Sequence, residues 1–283
     1  MAMDATIDCV KSIENNIDTT HYEIIIVDNA SPNGSGIELK TFFEKNDKVT
    51  ILFNKTNLGF AKGNNVGFHY AKNILKCKYI CMMNNDTLLE QKNFFMCIKN
   101  TYEMYDCAVM GPKIYLKNGC PNPISPPLGT IQNYRKERFL CRMSILKTHL
   151  GIDHIEFSRL LSKKNNADAD MAASTDVVHK DIILHGCCLI FTPKYLEKFS
   201  GINDRTFMYK EEELLYVRLK KHNLLSVYCP DLNIRHLEDV ATDMLQKTPK
   251  NKKLFIYRNQ ICSLKILIDE MKKMKFDNEN GFR

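Results

Sequence analysis

Three times in its first 90 residues the chain runs a short, largely apolar block straight into a cluster of polar turn formers. YEIIIV (22–27) leads into DNASPNGSG, VTILF (49–53) into NKTNLG, and KYICMM (78–83) into NNDT. Blocks this short, without alternation, fit strands covered on both faces. The clusters that follow supply turns. Between the blocks the apolar spacing becomes helical. Ile7, Val10 and Ile13 share a face behind Asp4, a capping residue type. Residues 37–43 read as a second helix, and Val66, Tyr70 and Ile74 mark a third over 61–75. A helix over 92–105 and a strand at AVMGPKI (108–114) continue the series. This alternation predicts an α/β fold with a mostly parallel sheet flanked by crossover helices. Ligands of such sheets bind beyond the carboxyl ends of strands, where the three polar clusters fall.

The pattern breaks at NGCPNPISPPLG (118–129), an irregular proline-rich loop. From Phe139, apolar residues recur at Met143, Leu146 and Leu150, with Arg135, Arg138 and Arg142 on a neighbouring stripe. That is a basic amphipathic helix, fit either to pack on its own domain or to meet a membrane surface or acceptor. KKNNADADMAAST (163–175) reads as a polar loop. ILHGCCLIFT (183–192) reads as a buried strand, followed by a helix after Pro193. EEELLYVRLKKHN (211–223) reads as a helix opening on three glutamates, SVYCP and LNIRH as two short strands, and the tail from Lys247 as a basic helix.

The net charge of +7 is unevenly spread. Residues 131–165 carry a net +5 and residues 244–283 a net +6, leaving −4 for the rest. The positive segments suit an anionic partner. The basic segments lack the interleaved aromatics of a nucleic-acid binder. Eleven cysteines without a CxxC read as small buried hydrophobes in a reducing compartment, and the paired spacing of a zinc site is missing. No run approaches the ~20 apolar residues of a membrane span, and MAMDATIDC lacks the apolar core of a secretory leader.

Four clusters can carry chemistry. Asp28 follows a strand and can accept hydrogen bonds from a sugar or base, or simply brace an Asx-turn. NLGFAKGNNVGF (57–68) allows close backbone approach at its glycines and lacks the spacing of a phosphate-binding P-loop. NND (84–86) puts one carboxylate at a strand end, which suits Mg²⁺ or Mn²⁺ with water and phosphate oxygens completing the shell. FMYKEEELL (207–215) places a glutamate at a helix start, fit for a general base, and nothing intrinsic chooses among the three.

In order and spacing, the segments IIIVDNAS, NLGFAKGNNVGF, MMNNDT, HGCCLIFT, GINDRTFMYKEEELLYVRLKKHN and Tyr257-Arg258-Asn259 resemble the family 2 glycosyltransferases of the GT-A fold. The nearest look is to rhamnosyltransferase-like and galactofuranosyltransferase-like members. The resemblance implies a GT-A domain over residues 1–243, with a variable insert at 115–180, and a basic helical extension over 244–283. It implies that Asp28 and Asn29 contact the donor nucleotide, joined by Asn57, Gly59, Lys62 and Asn64 from a second loop and by Asn84 and Asn85. Asp86 matches the last aspartate of the DxD-like motif and would bind a divalent cation, with His236 completing the metal site. Glu211-Glu212 aligns with the Glu-Asp pair whose second member is the base. This points to Glu212, with Glu211 the lesser candidate.

The implied activity is inverting, metal-dependent transfer from a nucleotide-sugar to a saccharide or polyprenyl-linked saccharide acceptor, in surface polysaccharide synthesis. The implied location is the cytoplasm, peripheral at the inner membrane face. The rival is a truncated or non-catalytic nucleotide-sugar binder. The family's first strand, ahead of its first helix, has no counterpart in these 283 residues, so two strand edges are expected to lie unpaired.

Overall fold

The computed structural model describes residues 2–150, 174–237 and 248–279. Two hydrogen-bonded sheets carry the fold. The first pairs β1 (Ile24–Asp28) with β2 (Val49–Phe53) in parallel. Helices α1 (Met3–Asn16) and α2 (Ser35–Phe42) accompany it, and Ile7, Val10, Ile26, Leu39 and Phe43 form one apolar cluster. Asp4 lies inside the first turn of α1, where its charge suits the helix dipole, and Ala2 occupies the capping position.

The second sheet contains β3 (Ile80–Met83), β4 (Thr87–Leu88), β5 (Val109–Leu116), β6 (His179–Lys180), β7 (Cys188–Phe191) and β8 (Ser226–His236). Its order is β3-β7-β5-β8-β4, with β6 also on β8. Only β5 and β8 pair in parallel here. The pairs β3–β7, β5–β7, β4–β8 and β6–β8 are antiparallel. The expectation of a mostly parallel sheet is therefore corrected to a mixed one. An unbroken apolar block reports cover on both faces, not strand direction. Here β7, from the second half of the chain, slots between β3 and β5 and runs against both.

Several boundaries also move. The segment 183–192 yields only β7, because the chain turns at Gly186-Cys187 before the ladder begins. SVYCP and LNIRH join into one strand. Cys229 sits opposite Pro112 and Asn233 opposite Lys113, so Pro230, Asp231 and Leu232 bulge from the ladder. Proline has no N–H to donate, which makes a bulge the place for it.

The remaining helices are α3 (Phe60–His69, continued by a wider π-turn over Tyr70–Ile74), α4 (Phe94–Tyr105), α5 (Ile131–Leu150), α6 (Pro193–Lys198), α7 (Glu211–Lys221) and α8 (Pro249–Glu279). α5, α7 and α8 share a core of Tyr134, Cys141, Leu214, Val217, Leu264 and Leu267. The basic tail thus packs against the domain. α5 buries Tyr134, Cys141 and Thr148, not its apolar stripe. Phe139, Met143, Leu146 and Leu150 face outward. Most of the 163–175 loop lies outside the described residues. No helix among the described residues is long and apolar enough to cross a membrane. Six of the eleven cysteines are buried, as expected of small hydrophobes, and all are free thiols.

Candidate active site

The loops that leave β1, β2 and β3, together with the start of α7, open onto one cavity of about 1540 Å³. Asp28, at the end of β1, is buried, and its Oδ1 accepts the Ser31 N–H at 3.1 Å. The carboxylate braces its own loop and packs against Gly36, while Asn29, Ala30 and Ser31 line the cavity in its place. Asn29 ties that loop to the next. Its Nδ2 donates to Asn57 Oδ1 (3.1 Å) and to the Gly59 carbonyl (3.0 Å), and its Oδ1 accepts from Leu58 N and Asn54 Nδ2. Gly59 adopts φ +82°, and a Cβ there would run into the Phe207 carbonyl, which accepts the Phe60 N–H at 2.7 Å. Only glycine serves both the dihedral and the close approach. Asn64 lines the cavity and donates to the Phe60 carbonyl. Lys62 is exposed and does not line it.

Asn84, Asn85 and Asp86 line the cavity after β3. Asn85 Nδ2 donates to Thr6 Oγ1 at 2.9 Å, which docks this turn on the start of α1. The short β4 then pairs with the last residues of β8, setting Thr87 opposite His236, and the Leu237 N–H donates to the Asp86 carbonyl at 2.9 Å. That ladder brings two side chains far apart in sequence together. His236 Nε2 lies 3.2 Å from Asp86 Oδ1, behind the cavity wall. The contact is not aligned as a hydrogen bond, so Nε2 is buried without a hydrogen-bond partner. A buried imidazole nitrogen left in this way beside a carboxylate fits a pair of ligands to one divalent cation. No group of three or more His, Cys, Asp or Glu side chains gathers in metal-binding range among the described residues. Two protein ligands fit a cation that takes its other oxygens from phosphate and water.

Glu211 and Glu212 open α7 and line the same cavity. Burial pushes the Glu211 carboxyl up to about 7, although the Thr206 hydroxyl donates to it at 2.9 Å. Burial also raises Glu212, partly offset by backbone N–H groups including that of Gly186. A side chain at position 186 would overlap the Glu212 carboxylate. Tyr209 and Lys210 just before them both carry positive φ (74° and 70°), a conformation costly for residues with side chains. Burial pulls Lys210 down, but Glu213 (2.9 Å) and Glu137 (3.1 Å) outweigh it and leave its ammonium raised.

Sequence reasoning did not single out His185, whose ring lies 6.0 Å from that of His236 and whose Nδ1 accepts the Cys187 N–H. It also missed Lys210 and Gln260, both lining the cavity. Lys210 sits beside the glutamates in the quoted motif, so its position was visible. Gln260 arrives on α8, and only the packing of that helix reveals it.

The sequence profile of "Glycosyl transferase family 2" matches residues 4–155, more than half of the chain. A "Low-salt glycan biosynthesis hexosyltransferase Agl10" from Haloferax volcanii is 23% identical over 222 residues, 77% of this chain. The chain spans about 60% of that relative's length. Among solved structures, a mannosyltransferase from Pyrobaculum calidifontis in complex with GDP-Man and Mn²⁺ superposes with a TM-score of 0.51 at 11% identity, covering 97% of this chain and 72% of its own. GalNAc-T7 with UDP, GalNAc and Mn²⁺ gives 0.54 at 10% identity, covering 88% of this chain and 44% of its own. These likenesses establish the GT-A fold, a helix-flanked α/β sheet. With the profile across its front half, the chain belongs to glycosyl transferase family 2.

Proposed function

We propose that this chain transfers a hexosyl group from a nucleoside-diphosphate sugar to an acceptor hydroxyl, with inversion at the anomeric carbon. One observation carries the reading. Asp86, backed by the unpartnered Nε2 of His236, shares a cavity with the raised carboxyls of Glu211 and Glu212. The nucleotide and sugar would lie along Asn29, Asn57, Gly59 and Asn64, with Asp28 holding the first loop in shape and Asn84 and Asn85 at the diphosphate end. Asp86 and His236 would hold Mg²⁺ or Mn²⁺, which when bound supplies positive charge against the departing diphosphate. Glu212 takes the proton from the acceptor hydroxyl. The oxygen forms its bond to the anomeric carbon as the bond to the diphosphate oxygen breaks. The GDP-Man and UDP complexes of the structural neighbours, and the hexosyltransferase relative, support a nucleotide-hexose donor.

The acceptor in this reading is a lipid-linked saccharide presented at an anionic membrane surface. The outward apolar stripe of α5, beside exposed Arg135 and Arg142, supports that placement. The rhamnosyl-like subgroup and a surface-polysaccharide pathway complete the proposal.

Glu212→Gln should lower transfer by roughly 10²–10⁴-fold. Donor affinity with Mn²⁺, read by calorimetry, should change little. Wild-type turnover in that variant would remove Glu212 from the mechanism. Donor binding by the wild type without turnover on any acceptor would favour the non-catalytic reading.

A further inference from the structure

The segment that delivers Glu211 and Glu212 to the cavity is attached to three other parts of the chain. The Phe207 carbonyl accepts the Phe60 N–H at the start of α3. The Met208 carbonyl accepts the Ser263 hydroxyl of α8 at 2.8 Å. Lys210 makes the third attachment, to α5. Its Nζ lies 3.1 Å from the Glu137 carboxylate, 2.9 Å from that of Glu213 and 5.5 Å from the centre of the Tyr134 ring. Tyr134 is buried, and its hydroxyl accepts the Gly129 N–H at 3.2 Å. A lysine ordinarily keeps its ammonium in water. This side chain is only 17% exposed.

These attachments enclose a strained piece of backbone. Tyr209 and Lys210 stand one after the other at positive φ, which side-chain-bearing residues keep only where their surroundings enforce it. Lys210 is also the residue on which α7 begins, and its carbonyl accepts the Leu214 N–H at 3.0 Å. The direction in which Glu212 leaves the helix start is therefore set at Lys210. Release of the 209–210 turn would swing the first turn of α7 and draw the Glu212 carboxylate away from the Gly186 N–H.

We propose that Lys210 is a positioning residue, clamped by Glu137 and Tyr134 of α5, which locks the strained turn and so fixes where the Glu212 carboxylate stands. The charge of the ammonium acts in the same direction. Glu212 faces Glu211, Glu213 and Lys210 on its own helix and the Cys187 thiol across the cavity wall, while Lys210 faces Glu137, Tyr134 and Cys141 on α5. Among these groups Lys210 favours the ionised form of Glu212, against its burial and Glu213. The catalytic meaning of the clamp rests on Glu212 as the base, but the placing of the carboxylate does not.

The test reads Glu212 directly. Carbon-13 in the glutamate carboxyls gives each an NMR titration curve, and Glu212→Gln assigns the signal. Lys210→Met removes a positive charge and should raise the Glu212 midpoint by roughly half a pH unit. It should also speed amide exchange over residues 207–213 about tenfold. Lys210→Arg should restore both. Glu137→Gln, a change at a half-exposed side chain that the fold tolerates, keeps the ammonium and releases it from α5. It should speed the same amides and leave the midpoint no higher than in the wild type. Turnover is followed as hydrolysis of a panel of GDP- and UDP-hexoses with Mn²⁺. Both Lys210→Met and Glu137→Gln should lower kcat about tenfold and change the donor KM less than twofold. Wild-type exchange in both variants overturns the proposal, whatever their activity. A wild-type midpoint in Lys210→Met overturns the electrostatic part. Lost turnover in Lys210→Met with wild-type exchange and midpoint would make Lys210 a direct ligand contact, which also overturns it. Should Glu212→Gln keep turnover while the exchange and midpoint shifts appear as expected, the base assignment fails and the clamp stands.

Discussion

Glu211 and Glu212 are neighbours in sequence whose carboxylates have different partners, Thr206 for the first and the Gly186 backbone for the second. The Glu211 carboxyl stands at about 7 in the fold against 4.5 as a free side chain. Between those values the folded protein holds a proton that the unfolded chain has released. Raising the pH through that window therefore costs stability, and above about 7 the loss is complete. At 1.36 kcal/mol per pH unit, reduced for the carboxylate's residual solvation, the loss is about 2 kcal/mol. Glu211→Gln keeps an acceptor for Thr206 and has nothing to ionise. Urea unfolding at pH 4.5 and pH 8 should show the variant gaining about 2 kcal/mol on the wild type between the two. A constant difference would mean that Glu211 ionises normally. Sequence reading found both glutamates because a helix-start acidic cluster is local. It did not show that the Asp28 carboxylate turns into its own loop or that Lys62 points to solvent, because side-chain direction depends on neighbours that arrive later in the chain.

The elements of the first half were legible because local pattern decides them. VTILF gives β2 residue for residue, and the helix expected over 92–105 starts two residues late. Strand direction and helix facing were not, because partners decide those. α5 shows this best. Its apolar stripe suits either an inward face or a membrane-facing one, and α8 takes the Tyr134–Cys141–Thr148 seam and leaves Phe139, Leu146 and Leu150 at least half exposed (60%, 50% and 63%). An outward apolar row next to Arg135 and Arg142 has the character of an interfacial helix. The chain should therefore bind vesicles rich in anionic lipid, and more weakly as salt rises. Phe139→Ser with Leu146→Ser should cut that binding about tenfold and leave Tm unchanged, since neither side chain is in the core. Equal sedimentation with neutral and anionic vesicles, at low and high salt, would exclude this role for α5.

At the scale of the whole molecule, the cavity joins two layers whose sheets share no strand pairing among the described residues. One is the β1–β2 layer, with its small cluster around Ile7, Val10, Ile26, Leu39 and Phe43. The other is the six-stranded sheet, with two larger clusters on β3, β5, β7 and β8. Regions with fewer buried apolar contacts open at lower free energy. Amides of Ile24–Asp28 and Val49–Phe53 should therefore exchange with deuterium at least tenfold faster than those of Val109–Ile114. The site draws on both layers, with Asn29 and Asn57 from the first and Asp86, Glu211 and Glu212 from the second. A ligand that touches both must add to the stability of the weaker one, by about 2.7 kcal/mol at a hundred times its Kd. Saturating nucleoside diphosphate with Mn²⁺ should accordingly slow exchange in β1 and β2 far more than in β5. Slowing confined to residues 84–88 and 211–215 would place the nucleotide on the second layer alone and remove Asn29 and Asn57 from the donor site. The mild −4 charge outside the two basic segments fits the proposed reading, in which a cation at Asp86 and His236 would meet the donor's negative charge locally.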